Sequence, residues 1–253
     1  MSDVTFFLTS CKRHDLLKIC LESFVEHNTY PITRGIIIED SDEDIGWCRD
    51  ILPFAQLDLI NTGGRQGQIR NIDRCYAMID TKYVFHCEDD FQFIRSGFIE
   101  PSIKILENDP KAINVMLTGY ERCWEDPNDT HYQILDYNRN PVPDRERELD
   151  GIKYFRMNNP IRGEWGFGFT FQPSIHRVDD WRRYGGYENI IKTIGPWANL
   201  FDGGQTERNL ARHYINEGFE TFQLAGRDHI EDGYVISTGH MRHVALPTQT
   251  EIK

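Results

Sequence analysis

Short apolar runs that stop at polar clusters, separated by segments of helical spacing, constrain this chain more than any other feature. Residues 4–9 form such a run, ending in Ser10-Cys11-Lys12-Arg13 and followed by Leu16, Leu17, Ile19, Cys20, Leu21 and Phe24 at helical spacing. Residues 35–38 end in Glu39-Asp40-Ser41-Asp42, and residues 57–60 end in Asn61-Thr62-Gly63-Gly64. Residues 68–79 then read as a helix with Ile69, Ile72, Tyr76 and Ile79 on one face, and residues 83–87 as a fourth strand. Strands alternating with helices predict an α/β fold with a mostly parallel central sheet flanked by helices and wound by right-handed crossovers. Ligands of such sheets gather beyond the carboxyl ends of the strands, so the polar clusters are expected to converge on one crevice.

The fourth run, Tyr83-Val84-Phe85-His86-Cys87, leads directly into Glu88-Asp89-Asp90. Three carboxylates at a strand end either cap the next segment as a solvated turn or hold something positive. Their hard oxygens suit Mg²⁺ or Mn²⁺, which are commonly held by one or two carboxylates together with substrate phosphates.

A length of 253 residues, 39% of them apolar, suits a single domain over 1–253. A net charge of −12 argues against a nucleic-acid partner, because phosphate-backbone binders carry a basic face. No apolar stretch approaches the roughly 20 residues of a membrane span. The opening Met1-Ser2-Asp3-Val4 lacks the basic and apolar regions of a secretory signal, so a cytoplasmic location is expected. The six cysteines lie in the first half without Cys-x-x-Cys spacing, which points to reduced, buried thiols rather than zinc or disulfides.

Residues 98–106 read as a further helix and residues 112–117 as a fifth strand. From 120 to 165 the pattern gives way to aromatic, proline and charge-rich text, with short strands expected at 132–135 and 152–157, read as a hairpin or excursion over the site. In Gly163-Glu164-Trp165-Gly166-Phe167-Gly168-Phe169, Trp165 and Phe167 offer flat faces to a sugar ring, and a bulged buried strand is the competing reading. Asp202-Gly203-Gly204-Gln205-Thr206-Glu207 leads into Leu210, Ala211, Tyr214 and Ile215 at helical spacing, placing Glu207 in a first helical turn.

Taken in order, these pieces resemble the GT-A-fold (Rossmann-like) nucleotide-sugar glycosyltransferases, most closely the family-two, inverting group. Phe7-Leu8-Thr9-Ser10 is similar to that family's first strand, and Glu39-Asp40-Ser41-Asp42 to its second-strand acidic end. Asn61-Thr62-Gly63-Gly64 with Arg70-Asn71 resembles its glycine-rich loop and helix start, and Glu88-Asp89-Asp90 its Asp-x-Asp element. The resemblance implies a metal-dependent transferase with a nucleotide-diphosphate sugar as donor and a glycan or small-molecule acceptor, in one catalytic domain with a nucleotide-sugar-binding half at 1–118 and an acceptor-binding half at 119–253. Asp90 is then the metal ligand, and Thr9, Asp40, Arg65, Gln66, Arg70, Glu88 and Asp89 serve the donor. Arg65 and Arg70 equally suit ordinary surface pairing. Thr206-Glu207-Arg208-Asn209-Leu210 aligns with the family's Glu-Asp-x-x-Leu and makes Glu207 the general base, with Thr206 in place of the first acid and Glu in place of Asp. The family's metal-binding histidine near the chain end has three candidates, His229, His240 and His243. Two other readings share the architecture. A sugar-nucleotide pyrophosphorylase would carry a glycine-rich loop after the first strand, which Ser10-Cys11-Lys12-Arg13-His14 is not, and a glycan-binding module would keep the fold without catalysis.

Overall fold

The computed structural model describes residues 2–118, 146–157, 169–194, 203–224 and 233–238. Four parallel strands, β1 (Val4–Ser10), β2 (Arg34–Glu39), β3 (Gln56–Asn61) and β4 (Tyr83–Glu88), lie in the order β3-β2-β1-β4. Between them run α1 (His14–His27), the short α2 (Cys48–Ile51) and α3 (Gln68–Tyr76). The four strands, α1 and α3 are the elements expected from the spacing, with ends displaced by at most three residues, whereas α2 was not expected.

Beyond β4 the sheet becomes mixed. β9 (Ser174–Arg177) inserts antiparallel between β4 and β6 (Ala112–Met116), so β6 runs parallel to β4. β10 (Glu220–Leu224) continues parallel to β6, and the antiparallel hairpin of β8 (Ile152–Arg156) and β7 (Glu146–Leu149) closes the nine-stranded sheet. A separate two-stranded ribbon pairs β5 (Phe91–Phe93) with β11 (Val235–Ser237). The remaining helices are α4 (Ile99–Asn108), α5 (Val178–Arg183), α6 (Tyr187–Ile194) and α7 (Gly203–Asn216).

Both faces of the central strands are covered, which is why these strands read as continuous apolar runs rather than alternations. Phe6, Leu8, Ile37 and Phe85 face a core with Leu17 and Phe24 of α1 and Ile105 of α4. Their neighbours Phe7, Ile36, Ile38 and Val84 face a second core with Ile72 of α3, Ile190 of α6 and Tyr214 of α7. The edge strand β7, Glu146-Arg147-Glu148-Leu149, alternates half-buried and exposed residues and carries charges that discourage pairing with another chain.

The structure departs from the sequence reading in places. α5 and α6 were not expected as helices, because the Gly185-Gly186 turn between them interrupts the helical periodicity. α7 begins at Gly203, so Glu207 is its fifth residue and not part of its first turn. Two apparently unfavourable glycines explain the error, since a helix start is expected after them and not on them. The strand expected at 132–135 lies outside the described residues, and β8 occupies the one expected at 152–157. Among the described residues no helix is long and apolar enough to cross a membrane.

Candidate active site

The carboxyl ends of β1, β2 and β4 meet at one edge of the sheet. The register sets Thr9 beside Glu88 on one side and Ile38 on the other, which brings the loops after these strands together. Ser10 Oγ donates to Asp89 Oδ2 at 3.0 Å. Arg13 lies just before α1 and donates through Nε to Asp89 Oδ2 at 3.1 Å, through Nη2 to Asp89 Oδ1, and through Nη1 to Asp90 Oδ2 at 3.2 Å. A two-nitrogen fork on one carboxylate is the strongest form of this contact. Asp89 is fully buried. Burial pushes its pKa up to about 6, and Arg13 works against that rise.

Asp40 follows β2, and its carboxylate is engaged by the glycine-rich loop. Gln66 N–H donates to Oδ1 at 2.7 Å and Gly67 N–H to Oδ2 at 2.9 Å, with the Thr62 hydroxyl 3.3 Å from Oδ1. Gly67 stands at the start of α3 with φ of 96°, a conformation that favours glycine. Asp40 therefore ties down the loop over residues 62–67 that leads into α3. Immediately after Gly67, Gln68 Nε2 donates to Glu88 Oε1 at 2.6 Å. Glu39 Oε1 accepts the N–H of Lys12 at 2.9 Å, holding the turn after β1.

Glu207 reaches the same edge from α7. Its Oε1 accepts Phe171 N–H at 2.7 Å and the Thr170 hydroxyl at 3.1 Å. The Phe171 ring stacks on His86 of β4, with centroids 5.3 Å apart, and His86 Nδ1 lies 2.8 Å from the Tyr76 hydroxyl. This packing anchors the strap that holds Glu207. Burial raises the Glu207 pKa, the bonds from Phe171 and Thr170 oppose the rise, and Asp90 adds to it. Glu88 is raised well above the ordinary range, first by burial and then by Asp90 and Glu207. Glu88, Asp90 and Glu207 thus feel one another's charge across the crevice, although Glu207 is more than a hundred residues away in the chain.

That mutual repulsion is the condition a cation relieves, and carboxylate oxygens are the donors Mg²⁺ and Mn²⁺ prefer. Among the described residues no cluster of three or more His, Cys, Asp or Glu side chains is arranged to hold a metal by itself. One or two carboxylates completed by substrate phosphates remain compatible with this geometry.

Of the other residues expected at the site, Thr9 is half-buried within β1, and Arg65 and Gln66 are exposed on the loop that Asp40 holds. Arg70 is exposed on α3, with its Nε 3.7 Å from Glu188 of α6. Trp165, Phe167, His229, His240 and His243 lie outside the described residues. Sequence reasoning missed Arg13, Ser10, Gln68 and Thr170 as site residues. Arg13 was visible as a cation at a strand end facing an acidic strand end, and Thr170 carried no local signal. A further unexpected contact ties in the chain end: Thr238 N–H donates to the Asp90 carbonyl at 2.8 Å, continuing the pairing of β11 with β5.

No protein-family model matches the sequence, and no curated protein matches it. Solved structures do. A mannosyltransferase from Pyrobaculum calidifontis, in complex with GDP-Man and Mn²⁺, superimposes with a TM-score of 0.56 at 14% identity, covering 87% of this chain and 53% of that one. A fragment of TarS from S. aureus superimposes with a TM-score of 0.53 at 10% identity, covering 94% of this chain and 61% of that one. The same fragment in complex with UDP gives a TM-score of 0.54 at 10% identity, covering 93% and 60%. The chain therefore spans between about half and three fifths of the length of these structures. Its fold is the GT-A type: a large, mostly parallel sheet flanked by helices.

Proposed function

We propose that this protein is a glycosyltransferase that moves a sugar, a hexose or a relative of one, from a nucleotide-diphosphate donor to a hydroxyl of a glycan or small-molecule acceptor. The observation that carries the reading is the approach of Glu207 to Glu88 and Asp90 at the carboxyl edge of a GT-A sheet. The donor lies over the ends of β1, β2 and β4, among Thr9, Asp40, Arg65, Gln66, Arg70 and Glu88, while Asp89 orders Arg13 from below. Asp90 is the ligand for a divalent cation, Mn²⁺ or Mg²⁺. One of His229, His240 and His243 is its proposed companion. A cation bound there supplies positive charge to the leaving diphosphate.

The chain's own chemistry falls to Glu207. Its carboxylate accepts the proton of the acceptor hydroxyl as that oxygen bonds to the anomeric carbon, and the bond from carbon to the diphosphate oxygen breaks on the opposite face, inverting the centre. A carboxylate whose pKa is raised by burial is a stronger base than one in water, and the bonds from Phe171 and Thr170 aim it. Trp165 and Phe167 are the proposed platform for the acceptor ring.

A thermal-shift panel of nucleotide sugars with and without Mn²⁺ tests this reading. A donor present at 100 times its dissociation constant adds about 2.7 kcal/mol to stability. One class of donor is expected to raise the melting temperature in the presence of Mn²⁺, and Asp90→Ala is expected to abolish the metal-dependent part. If no nucleotide sugar shifts the wild-type transition, the reading fails.

A further inference from the structure

Arg13 is the most firmly held charged side chain at the site, and the activity proposed above gives it no task. Its carbonyl accepts the N–H of Leu17 at 2.9 Å, so its backbone is fixed by the first turn of α1. Two guanidinium nitrogens, Nε and Nη2, fork onto Asp89, which is itself held by Ser10. The third, Nη1, reaches the neighbouring carboxylate, Asp90, at 3.2 Å. Arg13 is mostly buried, with 13% of its side-chain surface exposed, against 0% for Asp89 and 3% for Asp90.

We infer that Arg13 is a positioning residue that couples cation binding to donor binding, its Nη1 passing from Asp90 to the donor's diphosphate when both ligands are present. The inference rests on the proposed reading of Asp90 as the metal ligand. Before ligands arrive, the guanidinium partly neutralises Asp90 and competes with a cation for the same oxygen. A diphosphate gives Nη1 an alternative anionic partner and releases that oxygen, while the fork on Asp89 holds the side chain in place. Arginine suits this division of labour, because its planar fork keeps two bonds while a third nitrogen changes partner; the point charge of lysine has no such geometry. Cation and nucleotide then each tighten the other's binding by the same factor, as linkage requires. A simple brace predicts the opposite sign, since losing a brace would loosen Asp90 and weaken the cation.

The test needs no turnover. Mn²⁺ binding is followed by electron paramagnetic resonance or calorimetry, alone and with saturating UDP or GDP, in the wild type, Arg13→Gln, Arg13→Lys and Asp90→Ala. In the wild type one of the two diphosphates is expected to tighten Mn²⁺ by about tenfold, within the usual range of a coupling between sites. Arg13→Gln is expected to bind Mn²⁺ alone more tightly than the wild type and to show a smaller coupling, because the competing charge and the exchanging hand are both gone and only the direct attraction between cation and phosphates is left. Should Arg13→Gln not fold, Arg13→Lys is expected to keep the weak binding of Mn²⁺ alone and to show a coupling below that of the wild type. Weaker Mn²⁺ binding in a folded Arg13→Gln, or wild-type coupling in either variant, overturns the inference. Wild-type protein that binds no more Mn²⁺ than Asp90→Ala, with or without diphosphate, overturns the metal reading beneath it.

Discussion

Thr170→Val isolates the electrostatics of Glu207 with little change in volume. The Thr170 hydroxyl donates to Glu207 Oε1 at 3.1 Å and accepts the N–H of Gln172 at 3.1 Å. Valine removes both bonds and leaves the Phe171 N–H as Glu207's remaining partner in the strap. A hydrogen bond to a charged group contributes about 1.5–3 kcal/mol. At about 1.36 kcal/mol per pKa unit, the Glu207 pKa, already raised by burial, is expected to rise by a further one to two units. The sign for stability follows from linkage. A carboxyl whose folded pKa lies above its unfolded value binds more protons when folded, so its charging weakens the fold as pH rises through the folded pKa. The stability deficit of Thr170→Val is therefore smallest below the unfolded pKa of about 4.3 and larger, by about 1.5–3 kcal/mol, above the folded pKa. Glu88 and Asp90 also face Glu207, but they are common to both proteins and drop out of the comparison. Urea unfolding at acid and neutral pH measures the deficit, and the acid limb of kcat/KM is expected to move to higher pH by about one unit. An equal deficit at both pH values with an unmoved limb would refute the reasoning.

Two further substitutions test the framework around the site. Asp73 accepts bonds from Trp181 Nε1 at 2.7 Å, Tyr187 N–H at 2.9 Å and Glu188 N–H at 2.8 Å, capping α6 against α3. Asp73→Ala is expected to cost about 2–4 kcal/mol in urea unfolding, with Asp73→Asn recovering part of the loss. Asp40→Ala is expected to release the loop over residues 62–67, raising amide exchange at Gln66 and Gly67 by about tenfold or more while strands β1 and β4 keep their protection. It is also expected to raise the donor concentration needed for half-maximal rate.

The first 118 residues were legible because their signals are local. β1, β2 and β4 are largely buried runs of six or seven residues, α1 and α3 each carry one apolar stripe, and the strand ends are marked by changes of polarity that a sequence displays directly. β9 was not legible: Ser174-Ile175-His176-Arg177 is four residues long, and its pairing between β4 and β6 is decided by partners some 60 to 90 residues distant. The site shows the same division. Glu88-Asp89-Asp90 and Glu207 stood out by residue type and position, but their partners did not. Asp89 reads as a donor contact in sequence, and in the structure it is a fully buried anchor for Arg13 and Ser10. Asp40 reads as a donor contact, and in the structure its carboxylate also holds the loop amides. Such roles depend on which side chain a carboxylate meets in three dimensions.

The most direct test of the account compares Glu207→Gln with the wild type on the donor that the thermal-shift panel identifies, with donor affinity and release of the nucleoside diphosphate measured on the same preparations in the presence of an acceptor. The account predicts that Glu207→Gln binds the donor with wild-type affinity and releases diphosphate about 10² to 10⁴ times more slowly, the scale of a lost general base. Full-speed release by Glu207→Gln, or a wild type that binds the donor and never turns it over, would contradict the assignment of this site as a glycosyltransferase active site with Glu207 as its base.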